Sequence, residues 1–458
     1  MKKVITYGTY DLLHYGHIRL LERAKSLGDY LIVGVTADSF DQQRGKLNVE
    51  QSLMERIEAV RATGLADEII VEEYEGQKID DIRRLGVDIF TVGSDWRGKF
   101  DYLKEYCEVV YLDRTEGISS TGLRTEHHAL RLGLVGESPI LNKVERESHF
   151  VNGMNISGVC SENGSMLTGV LRKMTMPMSR LDELIEQSDA LYVISSPRKH
   201  YEHIKRMLER GRHVLCESPI AISVNELREL RALANEKGCQ LTDSLKTAYS
   251  TAYSRLVLLA KSGAIGDIVS VDATCTSMAD MEASASGAFP GMTPHLWNSI
   301  GAWGPTAMLP IFQLLGTDYV SKTIATHLME RTDMADNGSD DFDTFTKIAL
   351  VYPHAVASLK VGQGVKSEGS LVVSGTKGYI YVPAPWWKTD YFEVRYENPA
   401  NNRRYFYQLD GEGLRFELIS FMKAIQTGKN MNYVDEHTSD AIVKLVSDFY
   451  DRKDVVVI

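Results

Sequence analysis

Cysteine is scarce in this chain of 458 residues, and its five copies are scattered along the sequence at positions 107, 160, 216, 239 and 275. No two of them form a CxxC pair. The spacing therefore suggests neither a disulfide framework nor a zinc site, and we expect buried thiols. We predict no metal centre built from the protein's own side chains.

Long apolar runs and a surplus of positive charge are also missing. No stretch reaches the roughly 18 apolar residues of a membrane span. The opening MKKVITYGTYD has a basic pair but lacks the apolar core of a secretory signal. We therefore expect a cytoplasmic protein that does not insert into a membrane. The net charge of −11 argues against nucleic-acid binding, although it is compatible with a local basic pocket for a small phosphorylated ligand.

What the chain does contain is a regular alternation of short apolar runs and helical patterns. With 43% hydrophobic and 25% charged residues, it has globular composition and is too long for one typical domain. The first apolar runs are KVITYG, YLIVGVT, DEIIVEE, VDIFTVG and EVVYL, with helix-like stretches near 17–24, 51–63 and 77–85. This rhythm predicts five parallel strands in a doubly wound α/β sheet. In such sheets ligands bind beyond the carboxyl ends of the strands.

Two histidines flank a glycine where the first apolar run gives way to a helical pattern. His14, Gly16 and His17 would lie at the start of that helix, where free N–H groups and the helix dipole suit phosphate oxygens. Imidazoles there could donate hydrogen bonds to the charge on a transferring phosphoryl group. Capping or core histidines, or a metal pair without further ligands, would also explain these residues.

A second candidate phosphate site lies in RTEGISSTGLR, residues 114–124. Ser119, Ser120 and Thr121 are N-cap residue types after a strand and a turn, and Arg114 and Arg124 lie on either side. A capping box beside a solvated arginine is the plain alternative. Two phosphate-binding turns on one sheet edge predict a long polyphosphate ligand.

The paired motifs HxGH and ISSTxxR resemble the signature of the nucleotidyltransferases. Over about the first 125 residues the chain is similar to the glycerol-3-phosphate cytidylyltransferase family, nearly continuously in TYGTYDLLHYGHIRLLERAKSLGDYL, GSDWRGKFDYLKEYCEVVYL and RTEGISST. The resemblance implies transfer of CMP from CTP to a polyol phosphate, with Mg²⁺ accompanying the triphosphate. Glycerol 3-phosphate is the expected acceptor, and ribitol phosphate, another polyol phosphate or ethanolamine phosphate are the alternatives. The CDP-polyol product points to teichoic acid or capsule synthesis.

The same resemblance implies roles for individual residues. The expected catalytic residues are His14, His17, Lys46 and Arg114. The expected nucleotide-binding residues are Gly8, Thr9, Tyr10, Asp11, Gly16, Arg56, Asp95, Trp96, Thr115, Ser119, Ser120 and Thr121. Surface ion pairs for Lys46 and Arg56, and an Asx turn for Asp11, explain those three without a ligand. An adenylyltransferase remains the alternative activity, because HxGH is shared with enzymes that use ATP.

A second βαβ rhythm begins near Leu130, with LRLGLVG, NISGVC, ALYVISSP, RHVLCESP and CQLTD as its strands. Residues 130–458 resemble the glucose-fructose oxidoreductase family of NAD(P)-dependent dehydrogenases, in LAKSGAIGDIVSVDA, SGTKGYIYV and FELISFMKAIQTGK among other stretches. We therefore expect a Rossmann-like nucleotidyltransferase domain (1–128), an NAD(P)-binding Rossmann domain (129–246) and an α+β open-sheet domain (247–458). The last domain mediates oligomers in that family, which implies a dimer or tetramer.

The dinucleotide-binding motif of this second family is incomplete here. In GESPIL, Gly136 is kept, Ser138 and Leu141 stand at the other two glycine positions, and Pro139 removes an N–H donor. Ser161 replaces the acidic residue that would bind the ribose, with Glu162 beside it as a substitute. The possible dinucleotide-binding residues are Gly136, Ser138, Glu162, Ser196, Pro197, His200 and Glu217.

The catalytic residues of the second family are also replaced. Ser218 stands at the position of its lysine, and Ala302 and Thr306 at those of its paired Asp and His, while His295 and Lys246 are conceivable substitutes. Two hypotheses follow. Either the region is a working reductase that makes the polyol phosphate for the first domain, or it has lost its chemistry and serves as an oligomerisation or ligand-sensing module. The replaced residues favour the second hypothesis.

Overall fold

The chain forms two compact units. A computed structural model describes residues 2–13, 15–43, 49, 51–74, 76–113, 129–136, 138–151, 153–162, 164–278, 298–329, 342–407, 409–428 and 432–458. The first unit comprises Met1–Ala129 and Phe150–Gly153, and the second comprises Leu130–His149 and Met154–Ile458. None of the helices in the described part of the chain is both long and apolar enough to cross a lipid bilayer.

The first unit is built on a parallel sheet whose strand order is β3-β2-β1-β4-β5. Its strands are β1 Lys3–Gly8, β2 Tyr30–Thr36, β3 Glu68–Glu72, β4 Ile89–Gly93 and β5 Glu108–Leu112. The described helices are α1 Tyr15–Lys25, α2 Asp38–Gln43, α3 Leu53–Ala62 and α4 Gln77–Leu85. The five predicted strands and the doubly wound fold are confirmed. Helix α2 has no counterpart in the predicted pattern.

The central strands are buried on both faces, which is why they read as continuous apolar runs. Gly34 on β2 allows the Tyr7 ring of β1 to pack closely against the backbone of β2, because a Cβ at position 34 would lie 2.2 Å from that ring. The Tyr7 hydroxyl donates to Asp81 on α4 at 2.9 Å. The sheet and its covering helix are therefore joined by a buried polar contact as well as by apolar packing.

The second unit begins with a parallel Rossmann sheet of strand order β11-β10-β9-β6-β7-β8. Its strands are β6 Leu130–Gly136, β7 Met154–Cys160, β8 Thr175–Met176, β9 Ala190–Ile194, β10 His213–Glu217 and β11 Leu241–Ser244. Its described helices are α5 Ile140–Ser148, α6 Gly169–Met174, α7 Leu181–Gln187, α8 Pro197–Glu209 and α9 Val224–Lys237. The five strands predicted here are present, and the two-residue strand β8 adds an edge that the sequence pattern does not predict.

A mixed sheet completes the second unit, in the order β19-β18-β17-β16-β12-β15-β14-β13-β20. The strands are β12 Ile268–Ser277, β13 Ser321–Met329, β14 Phe342–Val351, β15 Val356–Gln363, β16 Leu371–Gly375, β17 Tyr379–Val382, β18 Tyr391–Arg395, β19 Arg403–Phe406 and β20 Val455–Val457. The described helices are α10 Thr251–Lys261, α11 Ser299–Leu315, α12 Leu414–Thr427 and α13 Glu436–Tyr450. Helix α11 packs on β12, β14 and β15. This is the expected open-sheet α+β region.

Candidate functional site

The turn that follows β1 lies at the carboxyl edge of the first unit's sheet, where the motif residues were expected to meet. It contains Gly8, Thr9, Tyr10 and Asp11, and the backbone is left-handed both at Tyr10, with φ 54°, and at Leu12 directly after the turn, with φ 46°. Such conformations cost on the order of 1 kcal/mol or more each and persist only where surrounding contacts hold them. This turn is therefore held in shape by its neighbours.

The Tyr10 side chain packs against the backbone of the turn. Its side chain is almost fully buried, and a Cβ on Gly8 would lie 3.0 Å from its ring. The same ring packs edge-on against the imidazole of His17, with the ring centroids 5.5 Å apart. Gly16 and His17 lie in the first turn of α1, which begins at Tyr15. Tyr10 thus couples the turn to the start of the helix.

Asp11 joins the turn to the segment before α3. Its carboxylate accepts a hydrogen bond from the backbone N–H of Gln51 at 2.9 Å, and the Gln51 side-chain oxygen accepts one from the N–H of Leu12, also at 2.9 Å. Asp11 is nearly fully buried. These two hydrogen bonds connect the turn to the segment before α3.

Arg56 on α3 is the most extensively bonded side chain at this edge, and its guanidinium is fully buried. Nη1 donates to the carbonyls of Thr9 at 2.7 Å and Thr36 at 2.8 Å, and Nε donates to the carbonyl of Gln51 at 3.1 Å. The structure thus places Arg56 behind the turn, with its hydrogen bonds directed at backbone carbonyls.

Two acidic residues of α2 complete the arginine's surroundings. Arg56 forms ion pairs with Asp38 and, at 3.4 Å, with the fully buried Asp41, and the Thr9 hydroxyl donates to Asp41 at 2.8 Å. The motifs single out neither aspartate. The available signal was an acidic pair three residues apart directly after a predicted strand.

A further polar group that the motifs do not indicate lies at the ends of β2 and β3. Glu72 is fully buried, accepts from the Thr36 hydroxyl at 3.0 Å and forms an ion pair with Lys78. The Lys78 ammonium lies 4.7 Å from the centre of the Tyr7 ring. Burial and the carboxylate of Asp81 raise the pKa of Tyr7, so this phenol remains a neutral donor. These contacts fix the sheet edge beneath the turn.

Asp95 and Trp96 lie in a short 3-10 turn directly after β4, which pairs with β1. Asp95 is exposed, and the Trp96 ring is half-buried against Phe100, with the ring centroids 5.9 Å apart. Both residues therefore lie at the carboxyl end of β4, the strand that neighbours β1. The remaining predicted residues of this site lie outside the described part of the chain: His14, Lys46, Arg114, Thr115, Ser119, Ser120 and Thr121.

In the second unit, the turn after β6 keeps one feature of a dinucleotide site. Gly136 has φ 136°, and a Cβ there would lie 2.0 Å from the carbonyl oxygen of Ile194. At the start of α5, Pro139 has no N–H, and the N–H of Ile140 donates to the Ser138 hydroxyl at 3.2 Å. The first turn of this helix therefore presents fewer free donors than a pyrophosphate cradle requires.

The other predicted dinucleotide residues lie at or shortly after the carboxyl ends of β7, β9 and β10. Glu162 forms an ion pair with Lys199, and Ser196 and Pro197 open helix α8. The buried His200 ring lies between the carbonyls of Pro219 and Ser195, both at 2.8 Å, and burial lowers its pKa to about 4. Burial raises the pKa of Glu217 to about 7. His295, one suggested substitute proton donor, lies outside the described residues.

Comparison with known proteins finds a family match in each part of the chain. Residues 5–126 match the cytidylyltransferase-like family, and residues 130–244 match an oxidoreductase family described as having an NAD-binding Rossmann fold. The glycerol-3-phosphate cytidylyltransferase of Bacillus spizizenii is 53% identical over 130 residues, which are 28% of this chain and 100% of that protein. The enzyme of the same name from Staphylococcus aureus is 53% identical over 129 residues, 28% of this chain and 95% of that protein.

Among solved structures, a 3-ketoreductase from Actinomadura kijaniata, crystallised with NADP and TDP-benzene, superposes with a TM-score of 0.59 and 18% identity. The superposition covers 72% of this chain and 99% of the ketoreductase chain. This likeness establishes the fold of the second unit. The chain therefore belongs to the cytidylyltransferase-like family through its first unit, which is a nucleotidyltransferase, and joins to it a second unit of the glucose-fructose oxidoreductase fold.

Proposed function

We propose that the first unit transfers CMP from CTP to a polyol phosphate, with glycerol 3-phosphate as the acceptor, and releases pyrophosphate. The observation that carries this proposal is the buried Arg56 network, which holds the turn of Gly8 to Asp11 beside the first turn of α1. Backbone N–H groups at such a helix start suit a triphosphate. The 53% identity to relatives named glycerol-3-phosphate cytidylyltransferase supports the choice of nucleotide and acceptor.

The chemistry requires little beyond placement. A lone pair on the acceptor's phosphate oxygen forms a bond to the α-phosphorus of CTP, and the bond from that phosphorus to the bridging oxygen breaks. Pyrophosphate leaves with that electron pair. The acceptor phosphate is already anionic at neutral pH, so no strong base is needed, and catalysis rests on orientation and charge stabilisation.

His17 and His14 would donate hydrogen bonds to the phosphate oxygens of CTP, together with Lys46 and Arg114. Mg²⁺ fits as a companion of the triphosphate, because Mg²⁺ is commonly bound through substrate phosphates and few carboxylates. The described residues contain no cluster of three or more His, Cys, Asp or Glu side chains that could hold a metal ion. When present, Mg²⁺ would neutralise part of the triphosphate charge.

Arg56 takes a positioning role in this proposal. Its guanidinium is fully buried and bonded to the carbonyls of Thr9 and Thr36, so it shapes the turn that receives the phosphates. Asp95 and Trp96 would contact the cytosine or the acceptor from the adjacent strand end. Thr115, Ser119, Ser120 and Thr121 would bind the nucleotide from the other side.

For the second unit we propose a module without hydride transfer. The family implies NAD(P), but the residues do not fit the group as that family holds it, because the first turn of α5 presents fewer free donors and Glu162 is ion-paired with Lys199. Ser218 and Ala302 replace family catalytic groups. The bifunctional enzyme, in which this unit reduces a sugar phosphate to the polyol phosphate, is the competing proposal. Assembly into a dimer or tetramer remains a prediction.

The direct test of the proposed activity is mass spectrometry of the products formed from CTP and a panel of phosphorylated acceptors. We expect CDP-glycerol and pyrophosphate from CTP with glycerol 3-phosphate, because the first unit resembles enzymes of that name. ATP serves as the control nucleotide. Pyrophosphate release with ATP and none with CTP would contradict the cytidylyltransferase assignment and favour an adenylyltransferase.

Removing either imidazole of the HxGH motif is expected to abolish most of the turnover. His17→Ala and His14→Ala should each lower kcat about 10²- to 10³-fold, because each removes a donor to charge that develops on the phosphate oxygens. Melting curves should stay near that of the parent protein. His354→Ala, at an exposed turn of the second unit, is the control and should keep full activity. Near-normal rates in both motif variants would refute the assignment.

Arg56→Lys separates a positioning role from direct phosphate binding, because lysine keeps the charge and loses the planar fork. We expect the first unit to lose about 2 kcal/mol or more of unfolding free energy, since the carbonyls and Asp41 lose buried partners. Hydrogen exchange at residues 9–12 should accelerate in protein free of nucleotide.

Arg61→Lys on the same helix is the matched control, because Arg61 is exposed and pairs with Glu58 on the surface. Its exchange and stability should match those of the parent protein. Unchanged exchange in Arg56→Lys, combined with a raised KM for CTP, would point to direct phosphate binding instead.

The absence of hydride transfer is tested by titrating the full chain with NADH and NADPH, alone and with keto or aldehydo sugar phosphates. We expect no loss of the ultraviolet absorbance of the reduced nicotinamide, because the family's lysine and its Asp–His pair are replaced. Tight NADPH binding together with oxidation by a sugar phosphate would overturn this proposal in favour of the bifunctional enzyme.

A further inference from the structure

Three lysines from distant parts of the second unit converge on one carboxylate. The Glu412 oxygens lie 2.6 Å from the ammonium of Lys143, 2.6 Å from that of Lys246 and 3.4 Å from that of Lys388. Lys143 is on α5, Lys246 opens the 3-10 turn after β11, Lys388 ends the 3-10 turn before β18, and Glu412 lies in the turn before α12. We call these four residues the lysine cluster.

The lysine cluster carries more positive than negative charge in a partly desolvated place. Its three ammonium groups share one carboxylate, and the exposed fractions of the four side chains are 25% for Lys143, 20% for Lys246, 44% for Lys388 and 17% for Glu412. Burial and the neighbouring lysines lower the pKa of Lys143, while the lysines hold the pKa of Glu412 at about 2. The carboxylate is therefore ionised throughout the neutral range, and it offsets only one of the three charges.

Nearby acidic side chains do not remove this imbalance. Among the described residues, Glu217 and Glu417 lie close enough to Lys246 for its charge to lower their pKa values, but neither forms an ion pair with it. Burial raises the pKa of Glu417 well above its usual value and that of Glu217 to about 7. Burial thus disfavours the ionised form of both carboxyl groups, and neither is paired with Lys246, so the positive charge of the cluster remains available to an anion.

We infer that the lysine cluster binds the phosphate group of a phosphorylated polyol or sugar. Three ammonium groups supply nine N–H donors, far more than one carboxylate can accept, and a phosphate dianion has the charge and the oxygens to engage the remainder. The excess charge matches that dianion. Because the side chains are partly exposed, a small ligand can reach them from solvent.

An aromatic surface next to the cluster fits the organic part of such a ligand. Trp387, the residue before Lys388, packs against Trp303 with the ring centroids 4.9 Å apart, and both rings are partly exposed. The hydroxyl of Thr247, the residue after Lys246, donates to the Trp387 carbonyl at 3.4 Å. The tryptophan pair is therefore attached to two of the lysine-bearing turns, where its apolar faces can cover carbon atoms of a bound polyol.

The inference does not rest on the activity proposed for the first unit. The test is calorimetric titration of the full chain, free of nucleotide, with inorganic phosphate, glycerol 3-phosphate and glycerol. We expect both phosphates to bind and glycerol not to bind. Lys246→Met and Lys143→Met should weaken the component assigned to this site about tenfold or more, because each removes a charge-assisted donor at nearly constant side-chain volume. CMP transfer should keep its KM for glycerol 3-phosphate, which separates this site from the first unit.

Glu412→Gln supplies a test of opposite sign. Removing the competing carboxylate should tighten phosphate binding about threefold or more, and added phosphate should raise the melting temperature of this variant more than that of the parent protein. Lys205→Met, which removes a surface partner of Glu229 in the same unit, is the control and should bind phosphate as the parent protein does.

Identical phosphate binding in the parent and all cluster variants would overturn the inference. Binding of NADPH without binding of glycerol 3-phosphate would overturn the phosphomonoester assignment.

Discussion

The arrangement of the candidate site in the first unit depends on one buried cation. Arg56 is fully enclosed, and it satisfies carbonyls from the turn after β1, the end of β2 and the segment before α3 while pairing with two aspartates of α2. A buried charge is costly unless it is paired and hydrogen-bonded, and this guanidinium has two aspartate partners and three carbonyl acceptors. The left-handed residues Tyr10 and Leu12 can persist because these contacts determine the path of the turn.

Much of the fold was predictable because its signals are local. The apolar runs of the first unit correspond to β1 to β5, and the helix predicted over 77–85 is α4 with the same bounds, ended by Gly86 in left-handed conformation. Helix α2 was not predicted, since DSFDQQ has no apolar face that would reveal it. The two-residue strand β8 is too short to give any periodic signal.

The sequence motifs indicate which residues belong to the candidate site, and that assignment stays a prediction; they do not indicate which of those residues would contact a ligand and which support the others. HxGH marks the start of α1, but nothing in the sequence distinguishes an arginine that contacts phosphate from one that lies behind the loop. That distinction depends on Asp38, Asp41 and the carbonyls of Thr9 and Thr36, which are brought together by sheet order. The lysine cluster could not be predicted from the sequence either. Lys143, Lys246 and Lys388 belong to no common motif, and only the fold brings them together.

The lysine cluster joins parts of the second unit that are far apart in the sequence. Glu412 lies 166 residues from Lys246, and still further from Lys143, so these ion pairs join the Rossmann sheet to a turn close to the last helices. Closing loops of such length in an unfolded chain is entropically unfavourable, so we expect these contacts to form only together with the folded unit. Repulsion among the three ammonium groups is therefore a property of the folded unit, and an anion bound between them would stabilise that folded state over the unfolded chain.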